Sequence, residues 1–592
     1  MHGSALLSAM DVWWLRLILL PTTLALFFLS PQHCSSQKVP NYTFMRSATT
    51  ASNISYYDYI VIGGGTAGCP LAATLSQNYR VLLLERGGSP YGNPNITNLA
   101  AFGAALSDTS PTSPAQRFIS EDGVINSRAR VLGGGSCLNA GFYTRAGPNY
   151  IREAGWDGRA VNEAYRWVEK KVAFEPKVQQ WQSAVRDGLL EVGVVPNNGF
   201  TYDHIYGTKV GGTIFDQNGY RHTSADLLQY ANPSRITVLL HASVHRILFR
   251  TKGGSRPKAQ GVVFRDALGR KHRAFLRRGP RNEIIVSAGA LGSPQLLMLS
   301  GIGPERQLRA HNINVTLDQP LVGQGMSDNP MNAVFIPSPV PVEVSLIEVV
   351  GITKFGTYIE AASGENFAGG TSPRDFGMFS SKIGQFSTVP PKQRSPEALK
   401  KAIEMMDTLD HAAFRGGFIL EKIMGPISTG HMELRTLNPN DNPSVTFNYF
   451  KEPRDLQRCV QGLRTIEKVI DSKPFAPFRY VNMPVPVLLN MTANSPVNLL
   501  PRHSNSSLSL EQFCRDTVMT IWHYHGGCQV GRVVDSDYKV LGVDALRVID
   551  GSTFNYSPGT NPQATVMMLG RYMGVKMLKE RLAFDADGMG RV

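Results

Sequence analysis

The sequence predicts an α/β fold in which a parallel sheet flanked by helices is joined to a second, α+β domain built on an antiparallel sheet. Tyr59–Ile62 is a short apolar run rich in β-branched residues, which is typical of a buried strand. A glycine-rich turn, a helix over Leu71–Ser76 and a strand over Arg80–Leu84 follow it, which indicates one βαβ unit. A further strand over Ile284–Ser287 leads into a turn at Gly289 and another helix, and we expect this unit to join the same sheet.

The glycine-rich turn has the spacing of a dinucleotide-binding fingerprint. Gly63, Gly65 and Gly68 hold the glycine positions of G-x-G-x-x-G, and these permit a sharp turn, close approach of main-chain N–H groups to a pyrophosphate, and tight helix–strand packing. Glu85, 17 positions beyond Gly68, ends the second strand and can accept hydrogen bonds from a ribose diol. An ordinary turn is the alternative, but all these parts in register favour a Rossmann-type dinucleotide site. The contacts predicted in this unit are Gly63, Gly65, Thr66, Ala67, Gly68, Glu85 and Arg86.

Size and charge narrow the class of protein. A chain of 592 residues exceeds the size at which single cores stop growing, so two or more domains are expected. The net charge of +14 first suggests nucleic acid as a binding partner, but the basic residues are mostly dispersed along the chain. The densest basic cluster, residues 271–281, lies between two strand-like runs, and we interpret it as a solvated hairpin rather than a binding stripe. We therefore expect no nucleic-acid partner, although a basic protein could be retained on an anionic extracellular matrix.

The N-terminal segment predicts secretion. Arg16 precedes a largely apolar run of 13 residues, Leu17–Leu29, and small residues follow at Ser35 and Ser36. This pattern predicts a signal peptide over residues 1–36, cleaved near Ser36, and a loose lead-in over residues 37–54. The apolar run is too short to cross a bilayer, and we expect a secreted protein on the cell-wall side with no membrane span in the mature chain. Six glycosylation sequons agree with secretion, and they begin at Asn41, Asn53, Asn95, Asn314, Asn490 and Asn505.

Five cysteines remain once Cys34 leaves with the predicted leader. Because five is odd, at least one thiol is free or pairs outside the chain. Their spacing matches no zinc pattern, so no metal site is predicted. The five are Cys69, Cys137, Cys459, Cys514 and Cys528.

Two further glycine-rich motifs carry a family resemblance. Residues 128–141 read RARVLGGGSCLNAG, in which three consecutive glycines let the main chain lie against a flat ring or a phosphate. Residues 289–303 read GALGSPQLLMLSGIG. Together with the fingerprint, these motifs resemble the glucose–methanol–choline (GMC) family of FAD-dependent oxidoreductases, in the family's order and from about Tyr57 to near the C-terminus. WHYHGG at residues 522–527 and SPGTNPQATVMMLGRYMG at residues 557–574 are similar to its plant branch of HOTHEAD-like and mandelonitrile-lyase-like members.

The resemblance implies a discontinuous domain organisation. An FAD-binding domain would comprise residues 55–150, 225–335 and 515–585, and a substrate domain residues 151–224 and 336–514. In the substrate domain we expect strands at Val340–Val349 and Gly417–Glu421. In the FAD domain, Ser293 and Pro294 suit the N-cap and first position of the helix after Gly289.

The resemblance also implies cofactor contacts. In the family the main chain at the position of Val244 contacts adenine, and an acid at the position of Asp550 lies by the ribityl and pyrophosphate groups. Leu138 stands where some relatives carry a flavin-linked histidine, so non-covalent FAD is expected. Lyase-branch relatives bridge the positions of Cys459 and Cys514, with buried free thiols as the alternative. The remaining FAD contacts implied are Val131, Gly134, Asn139, Trp522, His523, Gly551, Asn561, Pro562 and Gln563.

Residues 520–528, TIWHYHGGC, are the chemically richest stretch. Taking a proton from an alcohol near neutral pH calls for a base with a nearby pKa, and histidine is the usual residue. His523 aligns with the catalytic histidine of the family. His525 is then either a supporting residue or a satisfied core histidine, and a metal site lacks a third ligand nearby.

Asn561 is the second predicted catalytic residue. Asn561 and Pro562 open the final helix, expected to run to about Leu578, and they suit an N-cap and first-turn pair. The helix N-terminus could also stabilise negative charge on a reduced flavin, while Asn561 hydrogen-bonds the alcohol oxygen beside His523. Family oxidases carry histidine or asparagine at this position, whereas the mandelonitrile lyases carry histidine; asparagine cannot titrate, which disfavours lyase chemistry. Asn329 departs from the family by replacing the histidine of its usual Asp-His pair.

The sequence thus predicts FAD-dependent oxidation of a primary alcohol, with hydride transfer to flavin N5 and His523 as base. The resemblance implies a small-molecule substrate, a long-chain ω-hydroxy fatty acid of a cutin-like extracellular lipid barrier, and a monomer is expected. Two alternatives stay open. One is a hydroxynitrile (mandelonitrile) lyase that uses FAD structurally, and the other is a non-catalytic secreted adhesion protein.

Overall fold

The structure is a computed structural model that describes residues 40–108, 110–251, 256–364, 416–493 and 509–589. The chain divides into two units, residues 1–41 and residues 42–592. The predicted signal peptide, Cys34 and the sequon at Asn505 lie outside the described residues. Within the described ranges, none of the helices combines the length and the hydropathy that crossing a bilayer requires.

A six-stranded parallel sheet organises the larger unit. Tyr59–Ile62 lies inside it as predicted, and its side chains alternate between two buried faces: Tyr59 and Val61 join one core cluster, Ile60 and Ile62 the other. Burial on both faces explains why this strand is apolar throughout. In spatial order the strands are Met45–Ser47, Ile236–Leu240, Val81–Leu84, Tyr59–Ile62, Glu283–Val286 and Leu546–Val548. Because Met45–Ser47 is an edge strand, the prediction of a loose lead-in is wrong for these residues.

Two helices cover one face of this sheet. The first is Gly68–Leu75, which begins at the third glycine of the fingerprint rather than at Leu71. The second is Gln563–Met589, and it passes so close that a Cβ at Gly570 would lie 2.2 Å from the Ala67 carbonyl oxygen. This helix extends beyond the predicted end at Leu578, since neither proline nor glycine interrupts residues 579–587.

A seven-stranded sheet forms the second layer, antiparallel except for its last pair. Helices Gln180–Glu191 and Pro453–Asp471 pack on one face, while the other face carries Tyr358, Phe418 and Leu420 in a separate cluster. This arrangement confirms the predicted α/β fold with a second, antiparallel sheet; the domain boundaries themselves stay a prediction. In spatial order its strands are Met519–Thr520, Pro330–Pro337, Gly416–Ile423, Thr357–Ser363, Val349–Ile352, Gly207–Val210 and Asn197–Phe200.

A four-stranded sheet joins Ser243–Arg250, Lys258–Arg265, Lys271–Leu276 and Ile54–Tyr57. Residues 271–276 of the basic cluster form one strand of an antiparallel hairpin with Lys258–Arg265, as predicted, but His272 in this strand is buried rather than solvated.

Smaller sheets and helices complete the described fold. The small sheets pair Ala115–Ile119 with Ile125–Ala129, Phe142–Tyr143 with Gly212–Thr213, Ile302–Gly303 with Leu317–Asp318, and Gln324–Met326 with Gly430–Glu433 and Ser444–Thr446. The other α-helices are Pro94–Thr97, Ala104–Ser107, Pro148–Glu153, Gly158–Val172, Gly289–Leu299, Glu305–Ala310, Val485–Ala493 and Leu510–Asp516.

Two local predictions differ from the structure. Residues 340–348 form no strand, and the strand begins at Val349, because Pro341 removes a main-chain donor from the run. Ser293 and Pro294 lie inside helix Gly289–Leu299 rather than at its start. The Ser293 hydroxyl nevertheless accepts a hydrogen bond from the N–H of Ala288, the residue before the helix, at 3.0 Å.

Cys459 and Cys514 form the disulfide that the resemblance implies, between helices Pro453–Asp471 and Leu510–Asp516. Cys69, Cys137 and Cys528 are buried free thiols.

Candidate active site

A cleft runs along the carboxyl ends of the central parallel strands. This is where open α/β sheets bind ligands. We call it the nucleotide cleft. The predicted residues that line it are Gly63, Gly65, Thr66, Ala67, Glu85, Arg86, Val131, Gly134, Val244, Asp550 and Gly551.

The first fingerprint turn has the geometry that its glycines allow. Gly63 adopts φ +101°, and a Cβ there would lie 2.3 Å from the Ser287 carbonyl oxygen. Gly68 does not line the cleft; a Cβ on it would lie 1.9 Å from the carbonyl oxygen of Gly63, so it serves helix–strand packing. A side chain at Gly68 would push the helix away from the turn, and a side chain at Gly63 would collide with the main chain that follows the neighbouring strand Glu283–Val286.

Glu85 is buried, and its two carboxylate oxygens accept main-chain hydrogen bonds from Gly64 at 2.9 Å and Gly87 at 2.7 Å. Burial raises its pKa, and these hydrogen bonds oppose the rise. Each oxygen keeps a second lone pair, so the carboxylate can still accept hydrogen bonds from a diol. The neighbouring Arg86 is held by Gln116 Oε1 at 2.7 Å and by the Ala129 carbonyl at 2.8 Å.

Asp550 ties together the two chain segments at the middle of the cleft. Its carboxylate accepts hydrogen bonds from two residues of helix Gly289–Leu299, namely from the N–H of Gly289 at 2.9 Å and from the Ser293 hydroxyl at 2.5 Å. It also accepts from the N–H of Ser552 at 2.8 Å. Burial raises its pKa, and the hydrogen bonds oppose this.

The nucleotide cleft fits FAD. A Cβ added at Gly135, Gly289 or Gly551 would meet no atom of the described residues within 4 Å, although these glycines line the cleft, so bare main chain borders open space. Main-chain N–H groups at a helix start favour a pyrophosphate, and glycine permits its close approach.

A second cleft adjoins the first, and we call it the reaction cleft. It shares lining residues with the nucleotide cleft, namely Thr66, Ala129, Gly135, Tyr524 and Val566. The two clefts therefore form one crevice. The predicted residues that line the reaction cleft are Thr66, Leu138, Asn139, Trp522, His523, Asn561, Pro562 and Gln563.

Asn139 and Gln563 are linked across the reaction cleft. Asn139 Nδ2 donates to Gln563 Oε1 at 2.9 Å, and Gln563 Nε2 donates to the carbonyl of Phe142 at 2.6 Å. These contacts hold the start of the last helix against the loop that follows the second glycine motif.

His523 is positioned by a strained main chain. Trp522 precedes it with φ +58°, an uncommon conformation for a bulky residue that clusters at functional sites. The N–H of His523 donates to Asp328 at 3.0 Å, and Asp328 also accepts from the hydroxyls of Thr520 and Tyr449. Burial raises the pKa of Asp328 to about 6.

The imidazole of His523 is buried, and desolvation, with the nearby charges of Lys422 and His525, lowers its pKa well below the usual value. Its Nδ1 atom lies 3.2 Å from Asn329 Nδ2 and 3.3 Å from the Tyr358 hydroxyl. A neutral imidazole is the form that accepts a proton.

Asn561 lines the cleft with a side-chain oxygen that is buried and has no hydrogen-bond partner in the part of the chain that the structure describes. The helix begins at Gln563, so the expected N-cap hydrogen bond of Asn561 is not formed. Such an orphaned acceptor in a cleft suits a ligand contact.

A buried ion pair of Lys422 and Glu360 lies beside Asn561. Lys422 lines the reaction cleft, and its ammonium lies 5.6 Å from the ring centre of Tyr358. Burial raises the pKa of Glu360, while Lys422 and a hydrogen bond from Asn561 oppose the rise.

Four residues around His523 were not predicted as site residues, namely Asp328, Tyr358, Glu360 and Lys422. Charged residues inside strands that are otherwise apolar, such as Glu360 and Lys422, are the one signal that could have indicated them.

His525 is a satisfied core histidine. Its Nδ1 lies 2.9 Å from the carbonyl oxygen of His523, and Ser327 pairs with its main chain. Burial lowers its pKa to about 4.

Comparisons with known proteins agree with this geometry. Two family profiles described as GMC oxidoreductase match residues 57–331 and residues 426–570. The chain is 53% identical to Protein HOTHEAD of Arabidopsis thaliana, over 96% of this chain and 98% of that one. It is 50% identical to an (R)-mandelonitrile lyase-like protein of the same plant, over 91% and 93%. It is 43% identical to sinalpyl alcohol oxidase Nec3 of Nesocodon mauritianus, over 90% of each chain.

Solved structures show the same fold. A crystal structure of formate oxidase superposes with a TM-score of 0.69 at 20% identity, over 90% of this chain and 99% of that one.

Proposed function

The chain belongs to the GMC oxidoreductase family of FAD-dependent enzymes that oxidise CH–OH groups, and we propose that its substrate is a long-chain ω-hydroxy fatty acid. The product would enter an extracellular lipid barrier of the cutin kind. One observation supports alcohol oxidation most: the neutral imidazole of His523 and the unpartnered oxygen of Asn561 line the same cleft.

His523 is the base that takes the hydroxyl proton. Its low pKa keeps the imidazole unprotonated at neutral pH, so an acceptor nitrogen is available before substrate binds. The carboxamide of Asn561 orients the hydroxyl group, and the buried pair of Glu360 and Lys422 lies beside it. FAD, when bound, supplies the hydride acceptor.

Residues of both clefts would hold the cofactor without a covalent bond. The fingerprint turn and the start of helix Gly289–Leu299 offer main-chain donors to the pyrophosphate, and Glu85 offers acceptors to the ribose. Leu138, in the reaction cleft, has no nucleophilic atom for a flavin link.

The reaction cleft suits an apolar substrate. Its aliphatic lining can bury methylene groups, each of which contributes about 0.8 kcal/mol. The aliphatic residues are Leu106, Leu138, Ile347, Ile521 and Val566. A relative named as an alcohol oxidase supports the reaction type.

Secretion is part of the proposal. Five sequon asparagines are described, and all five are exposed, as glycosylation requires: Asn41, Asn53, Asn95, Asn314 and Asn490. The disulfide suits the same oxidising compartment.

A hydroxynitrile lyase is the second candidate, because a relative at 50% identity is named (R)-mandelonitrile lyase-like. The amide of Asn561 cannot exchange a proton near neutral pH, which leaves His523 alone for acid–base work in such a reaction.

Anaerobic mixing of the holoenzyme with alcohols tests the proposal. A long-chain ω-hydroxy acid should bleach the flavin absorbance band, whereas the matched fatty acid without the hydroxyl group should not. His523→Ala should keep the yellow cofactor but slow its reduction by ~10²-fold or more. Reduction of this variant at the wild-type rate would show that His523 is not the base.

Two other outcomes decide between the alternatives. Release of benzaldehyde from mandelonitrile without flavin bleaching would establish the lyase. A flavin that no alcohol reduces would instead favour the secreted adhesion protein that holds FAD as structural support.

A further inference from the structure

We propose that the outer face of the four-stranded sheet binds an acidic polysaccharide, a sugar chain that carries carboxylate groups. The surface is defined by four cations and a neighbouring aromatic pair, and we call it the basic face. Its residues are Arg246, Arg265, Lys271, Arg273, Tyr56 and Phe275.

The strand register places the four cations on one side of the sheet. Arg265 lies directly opposite Lys271, and Val263, two residues before Arg265, lies between Arg246 and Arg273. Residues two apart on a strand share a face, so these cations form two adjacent rows. All four cations are exposed, and none lines the nucleotide cleft or the reaction cleft.

Among the described residues, no carboxylate pairs with these four cations. The four strands contain no Asp or Glu, and the four cations form no ion pair with the described residues. Asp266, the nearest acid in sequence, is engaged by Arg270 at 2.8 Å and by His272 at 3.2 Å. Because like charges directly opposite on neighbouring strands destabilise a sheet, the pair Arg265–Lys271 opposes folding unless an anion lies between them.

The aromatic pair adds a surface suited to sugar rings. Tyr56 lies opposite Phe275 in the next row after Arg273, and the two rings stack with centres 6.0 Å apart. Tyr56 is 59% exposed, and Ile54, beside Arg273, is 49% exposed. A flat apolar platform beside cations can pack against a sugar ring while the guanidinium groups bind its carboxylates.

Extracellular features favour a polysaccharide over the other polyanions. The disulfide and the exposed sequon asparagines suit a secreted protein, which would not meet nucleic acid in its ordinary setting. A membrane surface would also accept the cations, but the large apolar residues exposed on or beside this face, Ile54, Tyr56 and Leu268, are few for insertion.

Binding to immobilised polygalacturonate tests the proposal, and the methyl-esterified polymer, which carries no carboxylate charge, is the control. The wild-type protein should bind the free acid at least ~10-fold more tightly than the ester, and raising ionic strength from 0.05 M to 0.3 M should weaken binding by about the same factor. A variant in which all four cations become Gln should lose ~10-fold or more in affinity. Tyr56→Ala should lose affinity at unchanged net charge.

The matched control replaces four exposed cations on and beside helix Pro453–Asp471 by Gln, namely Lys451, Arg454, Arg464 and Lys468. It changes the net charge equally but should keep binding within ~2-fold. Arg265→Gln should not lower the melting temperature, because it removes a like-charge pair.

Three results would overturn the proposal. Equal losses in the face variant and the control would show that only net charge matters. Equal binding of the esterified polymer would exclude carboxylate recognition. Tighter, face-dependent binding to single-stranded DNA or to phosphatidylserine vesicles would assign the surface to that other polyanion.

Discussion

At the scale of single residues, the imidazole of His523 is oriented by its neighbours. Its Nδ1 lies 3.3 Å from the Tyr358 hydroxyl, which also donates to the carbonyl of Thr560 at 3.0 Å. Asn329 Nδ2, a hydrogen-bond donor, lies 3.2 Å from the same ring nitrogen. The two contacts at Nδ1 fix the orientation of the ring, and the other ring nitrogen, Nε2, is thereby held in place as well.

We therefore predict that Tyr358→Phe slows flavin reduction by roughly 10-fold or more while KM changes by less than about 3-fold. Tyr358 is fully buried and does not line the reaction cleft, so substrate binding should be preserved. Stopped-flow reduction across a range of alcohol concentrations separates the two effects. If kcat is unchanged, or KM alone rises, Tyr358 does not position the imidazole.

At the scale of elements, the turn Gly134–Cys137 lies at the junction of the two clefts. Gly135 lines both, and an added Cβ would meet no protein atom within 4 Å. Glycine is therefore needed here for a ligand rather than for the fold, in contrast to Gly63 and Gly68, where a Cβ would strike the main chain.

Gly135→Val should leave the melting temperature of the apoprotein nearly unchanged and weaken FAD binding by ~10-fold or more, since the side chain occupies the cleft. Titration of apoprotein with FAD, followed by flavin fluorescence, measures the affinity. Gly158→Val is a suitable control, because Gly158 also meets no atom within 4 Å but starts an exposed helix. Equal affinity in the two variants would mean that FAD does not contact the turn.

At the scale of the whole molecule, buried histidines link stability to pH. Burial lowers the pKa of His525 and the pKa of His204 to about 4. It also lowers the pKa of His523 well below the usual value of histidine. The stability that depends on these neutral histidines is fully present above pH 6.5. It is lost as the pH falls toward 4, because the unfolded chain then binds protons that the folded chain does not bind. Asp328 and Glu348 have the opposite effect on the pH dependence of the free energy of unfolding, because burial raises their pKa values to about 6 and about 8.

His525→Gln isolates one of these contributions. The stability of the wild type relative to this variant should fall by about 1.4 kcal/mol per pH unit between pH 6.5 and pH 4, since only the wild type loses proton-linked stability there. Chemical denaturation of both proteins at several pH values measures the difference. A difference that does not change with pH would contradict a buried neutral His525.

The sequence by itself determined the parallel βαβ core and the cofactor, and it predicted His523 and Asn561 as the reacting pair. These features depend on residues close together along the chain. They are the glycines spaced along one turn, a strand that is apolar throughout, and motifs that follow one another in the order of the family. The same locality explains the errors, since Ser293-Pro294 and Asn561-Pro562 look like helix starts until the neighbouring chain shows where each helix begins.

Only the tertiary structure decided what surrounds His523. Asp328, Tyr358 and Lys422 come from separate strands and loops, and no spacing along the chain connects them to residue 523. The same is true of the basic face, where register brings Arg246 and Arg273 into one row across three strands. Side-chain hydrogen bonds, burial and charge depend on distance in space, and that distance is set by packing and strand register rather than by the order of residues.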